Sequence, residues 1–425
     1  MSDGQAAAGT AEGQGPVEID EDLAERLAAR RTELFEKYEI PEAFPGEIHD
    51  AVEARTGAIG ADIEAALEDR PDLRSLPTWT IDPLDAQDFD DAISIEEHED
   101  TYTLWVHIAD VTHYVDPETP TWQEAKRRGN TVYLPAHTVH MLPSVLAETV
   151  CSLVPEEDRL AHTVEMELDA DTLSYESIDI YKSVIRSDER LTYGEAERRI
   201  EDPDAPLHDR LVRVWELAER MHEQRKEDGS LVLNPLRDRA HTIVEECMLK
   251  ANKAVTHELM WTRGLEAMYR VHPQPTPEEW DKALREIQEL EDVSIPSHSW
   301  DDPRKAVNAT LETAPQRQLR KIQRAVMRVM PRATYMSDPF GGHHALNFEI
   351  YGHFTSPIRR LSDLVNHWIV DTDDVPDELV QLCEHASQRQ QAAERCEREY
   401  KTFLREMGLD PDAVNNRGIR VIDGE

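Results

Sequence analysis

Residues 80–95 read TIDPLDAQDFDDAISI and place five aspartates, Asp82, Asp85, Asp88, Asp90 and Asp91, within ten positions. Carboxylates crowded this closely repel one another unless a cation lies between them. Hard divalent ions such as Mg²⁺ and Mn²⁺ take oxygen ligands of this kind. Trp79 and Ile81 precede the cluster, and Ala92, Ile93 and Ile95 follow it. That is the pattern of two strand ends entering a core. A carboxylate cluster holding one or two hard ions is a common means of hydrolysing a phosphodiester.

The competing reading is a solvated acidic loop. The chain has 87 acidic residues among 425, so four acidic residues at one fixed spacing arise by chance. Requiring aspartate at all four lowers that expectation to roughly a few per cent. The strand-like flanks favour a site over a loop.

The net charge is −41, and arginine supplies most of the positive charge. Acidic excess with scarce lysine points to a protein adapted to concentrated salt, where the Debye length falls to about 3 Å and self-repulsion is screened. An acidic protein that avoids nucleic acid is the other reading, and charge alone does not separate the two. Cys151, Cys247, Cys383 and Cys396 have no CxxC spacing and lie in apolar or helical patterns. They read as reduced core thiols. The N-terminus MSDGQAAAGTAEGQG has neither a basic start nor an apolar run, and no stretch of 18 apolar residues occurs. A cytoplasmic protein without a signal peptide or membrane span is expected.

The chain suggests a disordered N-terminus over 1–16 and a helical extension over 17–75, with helices over 21–37 and 48–67. One large catalytic domain is expected over 76–407 and a short tail over 408–425. Tyr102, Leu104, Val106 and Ile108 alternate as a strand. Segments 163–168 and 175–185 fit a strand pair turning at 169–171. Helical periodicity covers 207–227, 242–260, 317–330 and 376–406, and the acidic, proline-containing stretch 291–302 reads as a surface loop. The fold class expected is mixed α+β.

Seven stretches, in order, carry a more specific likeness: TIDPLDAQDFDDA (80–92), VHIADVTHYV (106–115), RRGNTVYLPAHTVHMLP (127–143), CSLVPEEDRLA (151–161), IVEECMLKAN (243–252), RVHPQP (270–275) and YGHFTSPIRRLSDLVNH (351–367). Together they resemble the RNB catalytic domain of the ribonuclease II / ribonuclease R exoribonuclease family, over roughly 42–407. The resemblance implies a twisted, mostly antiparallel sheet flanked by helices around an RNA channel. It implies a metal-dependent 3′→5′ exoribonuclease that degrades single-stranded RNA to nucleoside 5′-monophosphates with Mg²⁺ or Mn²⁺. Carried over residue by residue, it makes Asp82, Asp88 and Asp91 metal ligands. Asp90 becomes both a ligand and the residue most needed for the chemical step. Arg359 would face the phosphate, with Arg360 its neighbour candidate. Tyr133 would stack on a nucleotide near the 3′ end, and one of Glu245 and Glu246 would bind the terminal nucleotide. His107, Asp110, His113 and His367 read as core or supporting hydrogen-bonding residues, and Asp85 as a surface carboxylate.

The sequence departs from the family pattern in two ways. The chain before 80 reads helical and little follows 407, so neither cold-shock-type barrels nor an S1 barrel is expected here, and RNA would be gripped by the channel alone or with a separate RNA-binding partner protein. The second aromatic of the family, a phenylalanine ahead of the acidic helix, is missing, and no Phe occurs between Phe89 and Phe340. A monomer is expected. The rival readings are a non-catalytic RNA-binding protein with an RNB fold, and a metal phosphodiesterase acting on DNA or small nucleotides.

Overall fold

The structure is a computed structural model describing residues 15–234, 237–296 and 302–422. Residues 1–14 of the expected disordered N-terminus, 297–301 of the acidic loop and 423–425 of the tail lie outside the described residues. The chain opens with strand β1 (Val17–Ile19) and helix α1 (Glu21–Tyr38). Asp20 caps α1 by accepting from the Leu23 N–H at 2.8 Å. The helical stretch expected over 48–67 is two helices, α2 (Gly46–Thr56) and α3 (Ile59–Ala66).

The sheet that organises the molecule follows. Its strands are β2 (Trp79–Asp82), β3 (Asp91–Glu97), β4 (Thr101–Ala109), and, after helix α4 (Pro120–Arg128) and the hairpin β5 (Val132–Leu134) and β6 (His137–Val139), β7 (Asp158–Asp169), β8 (Tyr175–Arg186) and β9 (Glu189–Thr192). Their spatial order is β8-β7-β4-β3-β2-β9. All neighbours are antiparallel except β2 and β9, which run parallel. The alternation read in β4 understates its burial: every residue from Thr103 to Ala109 is buried. β4 lies inside the sheet, and both of its faces are covered.

The remainder is mainly helical: α5 (Tyr193–Glu201), α6 (His208–Glu227), α7 (Arg239–His257), strand β10 (Tyr269–Val271), α8 (Pro277–Gln288), α9 (Pro303–Thr313), α10 (Gln316–Val329), strand β11 (Thr334–Met336), α11 (Leu361–Thr372), α12 (Leu379–Glu406), α13 (Pro411–Arg417) and strand β12 (Ile419–Val421). Three apolar clusters hold these layers. The largest packs the sheet against α5, α6, α7 and α11, around Trp79, Ile93, Leu104, Cys247 and Leu364. The second packs Leu27, Leu34 and Phe35 of α1 against Cys396, Tyr400 and Leu404 of α12, and against Val132 and Leu134 of β5. The third joins α8, α9 and α10 through Trp280, Ile287, Leu311 and Ile322. All four cysteines are free and buried, as the sequence suggests. β1 pairs in parallel with β12, so the two ends of the described chain meet. No helix among the described residues is long and apolar enough to cross a membrane.

Candidate active site

β2 and β3 share one residue pair, Trp79 with Ile93, and then splay apart. Beyond that point β2 pairs with β9, bringing Asp82 opposite Thr192, and β3 pairs with β4, bringing Asp91 opposite Ile108. Asp82 and Asp91 therefore stand on the two sides of a gap in the sheet. The loop bridging the gap carries Asp88 and Asp90. These four aspartates line one side of a cleft of about 810 Å³, together with Tyr133, Tyr193, Glu245, Arg359 and Arg360.

Asp90 is the most deeply buried of the set at 4 % exposure. Its Oδ1 accepts the Ile358 N–H at 2.8 Å, while Oδ2 faces the Arg359 Nε at 3.3 Å. Asp82 Oδ2 and Asp90 Oδ2 are both buried without a hydrogen-bond partner. Burial raises Asp82 to about 6 and Asp91 to about 7, and lifts Asp90 well above the usual carboxylate range. Arg359 pulls the other way in all three. Arg190 also acts on Asp82 and Arg360 on Asp91, yet burial outweighs all three guanidinium groups, and two of the carboxylate oxygens accept no hydrogen bond. That is the chemistry a divalent cation answers, and these aspartates fit one.

Arg359 and Arg360 follow a tight connection. Gly129 ends α4 with φ of +68°, and a side chain there would meet Arg389 Cγ at 2.6 Å. Glycine permits this turn, after which Asn130 bridges to Arg360 and the Gly129 carbonyl accepts the Leu361 N–H at 3.0 Å. Arg360 donates to Asp363 Oδ1 at 2.6 Å, and the same oxygen accepts the Ser356 N–H at 2.8 Å. The charge of Arg360 is thus tied into the SPIRR turn, whereas Arg359 points its guanidinium at Asp90 and Ser356 Oγ.

Tyr133 stands on β5, its backbone N–H donating to Glu397 of α12 at 2.9 Å. Its hydroxyl donates to Asp88 Oδ2 at 2.8 Å, which couples the aromatic to the carboxylate set. Of the acidic pair on α7, only Glu245 lines the cleft, where Arg225 and Arg237 hold it. Glu246 is 3 % exposed and bound by His222 at 2.8 Å and by Arg225. Asp85 is exposed at the rim and accepts from Asn415 of α13 at 2.5 Å.

Tyr193 was not among the residues singled out from the sequence. It is the first residue of α5, after a capping box in which Thr192 and Glu195 satisfy each other's end of the helix. Its ring stacks on His241 with centroids 3.8 Å apart and planes 7° off parallel. The TYGE motif marks the helix start. Its nearness to Asp82 comes from the β2–β9 pairing, which joins residues about 110 apart in sequence.

The supporting residues lie away from the cleft. His107 is buried between Ser94 and Thr163, and burial lowers it to about 3, so it is neutral. Asp110, His162 and Asp371 bring ligand atoms within 4.8 Å of one another, the one such grouping among the described residues. Two cations already occupy this cluster. Arg70 bonds Asp110 at 2.6 Å and Lys182 lies 2.8 Å from Asp371. Burial alone would raise Asp110, yet His162, Lys182 and Arg70 hold it well below the usual range. This network joins β4, β7, β8 and α11 as an ion-pair knot, with His367 Nδ1 3.1 Å from His162. It is no open metal site.

The splayed strand pair thus brings four aspartates and Arg359 together along one wide cleft. The chain belongs to the RNB domain family, whose profile matches residues 70–372. That family implies a divalent metal. Ribonuclease R of Thermotoga maritima is 34 % identical over 404 residues, covering 85 % of this chain and 56 % of that protein. The chain thus spans about half the length of the curated relatives it matches. Mycoplasma genitalium RNase R, solved in complex with ribose-methylated single-stranded RNA, superposes with a TM-score of 0.77 at 22 % identity, covering 89 % of this chain and 64 % of that one. Yeast Ssd1, described as a pseudonuclease, superposes at 0.70 with 23 % identity, over 79 % of this chain and 45 % of that one.

Proposed function

We propose that the chain is a hydrolytic 3′→5′ exoribonuclease that degrades single-stranded RNA to nucleoside 5′-monophosphates with Mg²⁺ or Mn²⁺. The observation that carries this reading is the complete set of four aspartates around the cleft, two of them with a buried oxygen that accepts no hydrogen bond. The Ribonuclease R relatives and the single-stranded RNA in the Mycoplasma complex support it. The protein acts in this reading as a cytoplasmic monomer, alone or with an RNA-binding partner.

In this reading Asp82, Asp88, Asp90 and Asp91 would hold the metal, which would supply polarisation of the phosphate and a lowered pKa for the attacking water. Arg359 faces the non-bridging phosphate oxygens and meets the negative charge that grows as water oxygen bonds to phosphorus and the P–O3′ bond breaks. The new 3′-hydroxyl stays on the shortened strand and the phosphate leaves on the nucleoside 5′-monophosphate. Tyr133 and Tyr193 offer ring faces to bases, and stacking tolerates any sequence. Glu245 accepts from a hydroxyl of the terminal nucleotide.

The fold alone does not confer cleavage, since the yeast neighbour is described as a pseudonuclease. A time course on 5′-labelled unstructured RNA in molar KCl, with Mg²⁺, Mn²⁺ or EDTA, distinguishes the readings. The expected result is a metal-dependent ladder that shortens from the 3′ end. Binding without cleavage under every condition would instead favour the non-catalytic RNA-binding protein. Equal competition by deoxy-oligonucleotides would favour the DNA or small-nucleotide reading.

Tyr133→Ala is expected to change where degradation stops, lengthening the residual fragment. Loss of one stacked base weakens the hold on a short strand by about 1–3 kcal/mol. An unchanged end product on a sequencing gel would remove Tyr133 from the RNA path.

A further inference from the structure

Helices α12 and α13 lie beyond residues 70–372, the part of the chain that matches the RNB family, yet both line the cleft. α12 contributes Lys401, and α13 contributes Asp412, Asn415 and Asn416 among others. Burial distinguishes the floor of the cleft from its mouth. Asp90 is buried at the floor, whereas Asp85, Asp412 and Asn416 are exposed, and Asn415 bonds Asp85 at the rim. Lys401 is half-buried. Its place beside the aspartates follows from Tyr133. The Tyr133 hydroxyl donates to Asp88 Oδ2 at 2.8 Å, and the Tyr133 backbone N–H donates to Glu397 Oε1 at 2.9 Å. Tyr133 therefore spans the gap from the carboxylate set to α12. Lys401 stands one turn, about 5.4 Å, farther along α12 on the same face as Glu397.

Three lysine and arginine side chains line the cleft, and two of them are committed. Arg359 faces Asp90 Oδ2 and donates to Ser356 Oγ, while Arg360 donates to Asp363 Oδ1. Lys401 makes no hydrogen bond or ion pair among the described residues. Glu397, four residues before it, holds the position from which a helical carboxylate ordinarily pairs with a lysine. One Glu397 oxygen is instead on the Tyr133 N–H. Burial raises the Glu397 carboxyl, against the pull of that N–H and of the Lys401 charge, which acts on it through space. A lysine is a compact charge on a flexible four-carbon stem. Half-buried in the cleft and bonded to nothing, Lys401 can reach an anion there without giving up a partner.

We propose that Lys401 binds a phosphodiester of the RNA strand upstream of the scissile bond. The terminal nucleotide lies at the buried aspartates, and its neighbour stacks on Tyr133. The strand then runs out along the wall of α12 and α13 toward the exposed rim, and Lys401 is the cation that this wall presents to the cleft. The contact is to a phosphate, so it is blind to base identity, as stacking on Tyr133 is. The proposal rests on the RNA reading given above, and it adds a grip on the strand from a helix outside the matched family region.

The test measures binding apart from cleavage. In the 425-residue Asp90→Asn chain with Mg²⁺, anisotropy is read over a series of KCl concentrations. The ligands are 5′-labelled oligoribonucleotides from dinucleotides up to about twelve residues. Lys401→Gln should weaken the longest strand about tenfold at the lowest salt, the order of one charge-assisted hydrogen bond. The dinucleotide, whose single phosphodiester lies at the aspartates, should lose little. The same substitution should flatten the slope of log affinity against log salt by about 0.7, the effect of one lost phosphate contact on a single strand. Lys401→Arg should restore both. Glu397→Gln, which keeps an acceptor for the Tyr133 N–H, tests whether the effect passes through the protein, and the Lys401→Gln loss should persist in that background. A loss that vanishes there, a loss equal at all lengths, or an unchanged salt slope would overturn the contact. A melting temperature lowered by Lys401→Gln, with binding not rescued by Lys401→Arg, would overturn it as well and make the residue structural. Length-dependent loss with no cleavage by the wild-type chain would leave the contact standing and remove the exoribonuclease reading instead. Normal wild-type cleavage with no effect of Lys401→Gln would do the reverse.

Discussion

Asp90→Asn should lower the rate of RNA cleavage by roughly 10³-fold or more, on the scale seen when a preorganised charge is removed from a transition state, while RNA affinity changes little. The substitution is nearly isosteric. The asparagine carbonyl can keep the Ile358 N–H bond that Oδ1 makes at 2.8 Å, so the SPIRR turn stays docked. The lost component is the charge on Oδ2, which faces Arg359 at 3.3 Å and has no hydrogen-bond partner. Folding should not suffer. Burial holds this carboxyl well above its usual range, so a neutral side chain removes a cost from the ion-free state. Single-turnover cleavage at saturating enzyme separates chemistry from binding and product release. A wild-type rate in the variant would remove Asp90 from the reaction and the exoribonuclease assignment with it.

The part of the site that lies in one stretch was legible in the sequence. The four aspartates fall within ten residues, and their apolar flanks identify the two strands that present them. Local periodicity also located α1, α6, α7, α10 and α12 to within a few residues. What stayed hidden depends on distant pairing. Tyr193 reaches the cleft because β9 runs beside β2, and a short parallel pairing between segments 110 residues apart leaves no local pattern. The same holds for the last residues. The stretch after 407 read as a short tail, yet Pro411, Asp412 and Asn415 of α13 line the cleft, positioned by the pairing of β12 with β1. Asp85 read as a plain surface carboxylate. It is exposed, but at the rim, where Asn415 meets it. Burial on both faces of β4 was equally invisible, because alternation reports one face and the second is set by helices far along the chain.

Without a divalent ion, the protein should lose stability as pH rises from about 4 to 7. With Mg²⁺ or Mn²⁺ it should regain stability over the same interval. The sign follows from Asp82 and Asp91, raised by burial from 3.8 to about 6 and about 7. Between the unfolded and folded values the native state holds protons that the unfolded chain has released, so the unfolding free energy falls with pH. Above the folded values the cost is complete. A two-unit shift at Asp82 corresponds to at most about 3 kcal/mol, and less where water reaches this half-buried group. Divalent binding needs the ionised carboxylates, so it competes with those protons and grows as they leave. Saturating Mg²⁺ should therefore raise the melting temperature little at pH 5 and by several degrees at pH 8. Asp91→Asn should flatten the ion-free pH profile and weaken the Mg²⁺ response together, because one side chain causes both. Equal Mg²⁺ responses at the two pH values would mean that the ion binds elsewhere and that the cleft aspartates are not its ligands.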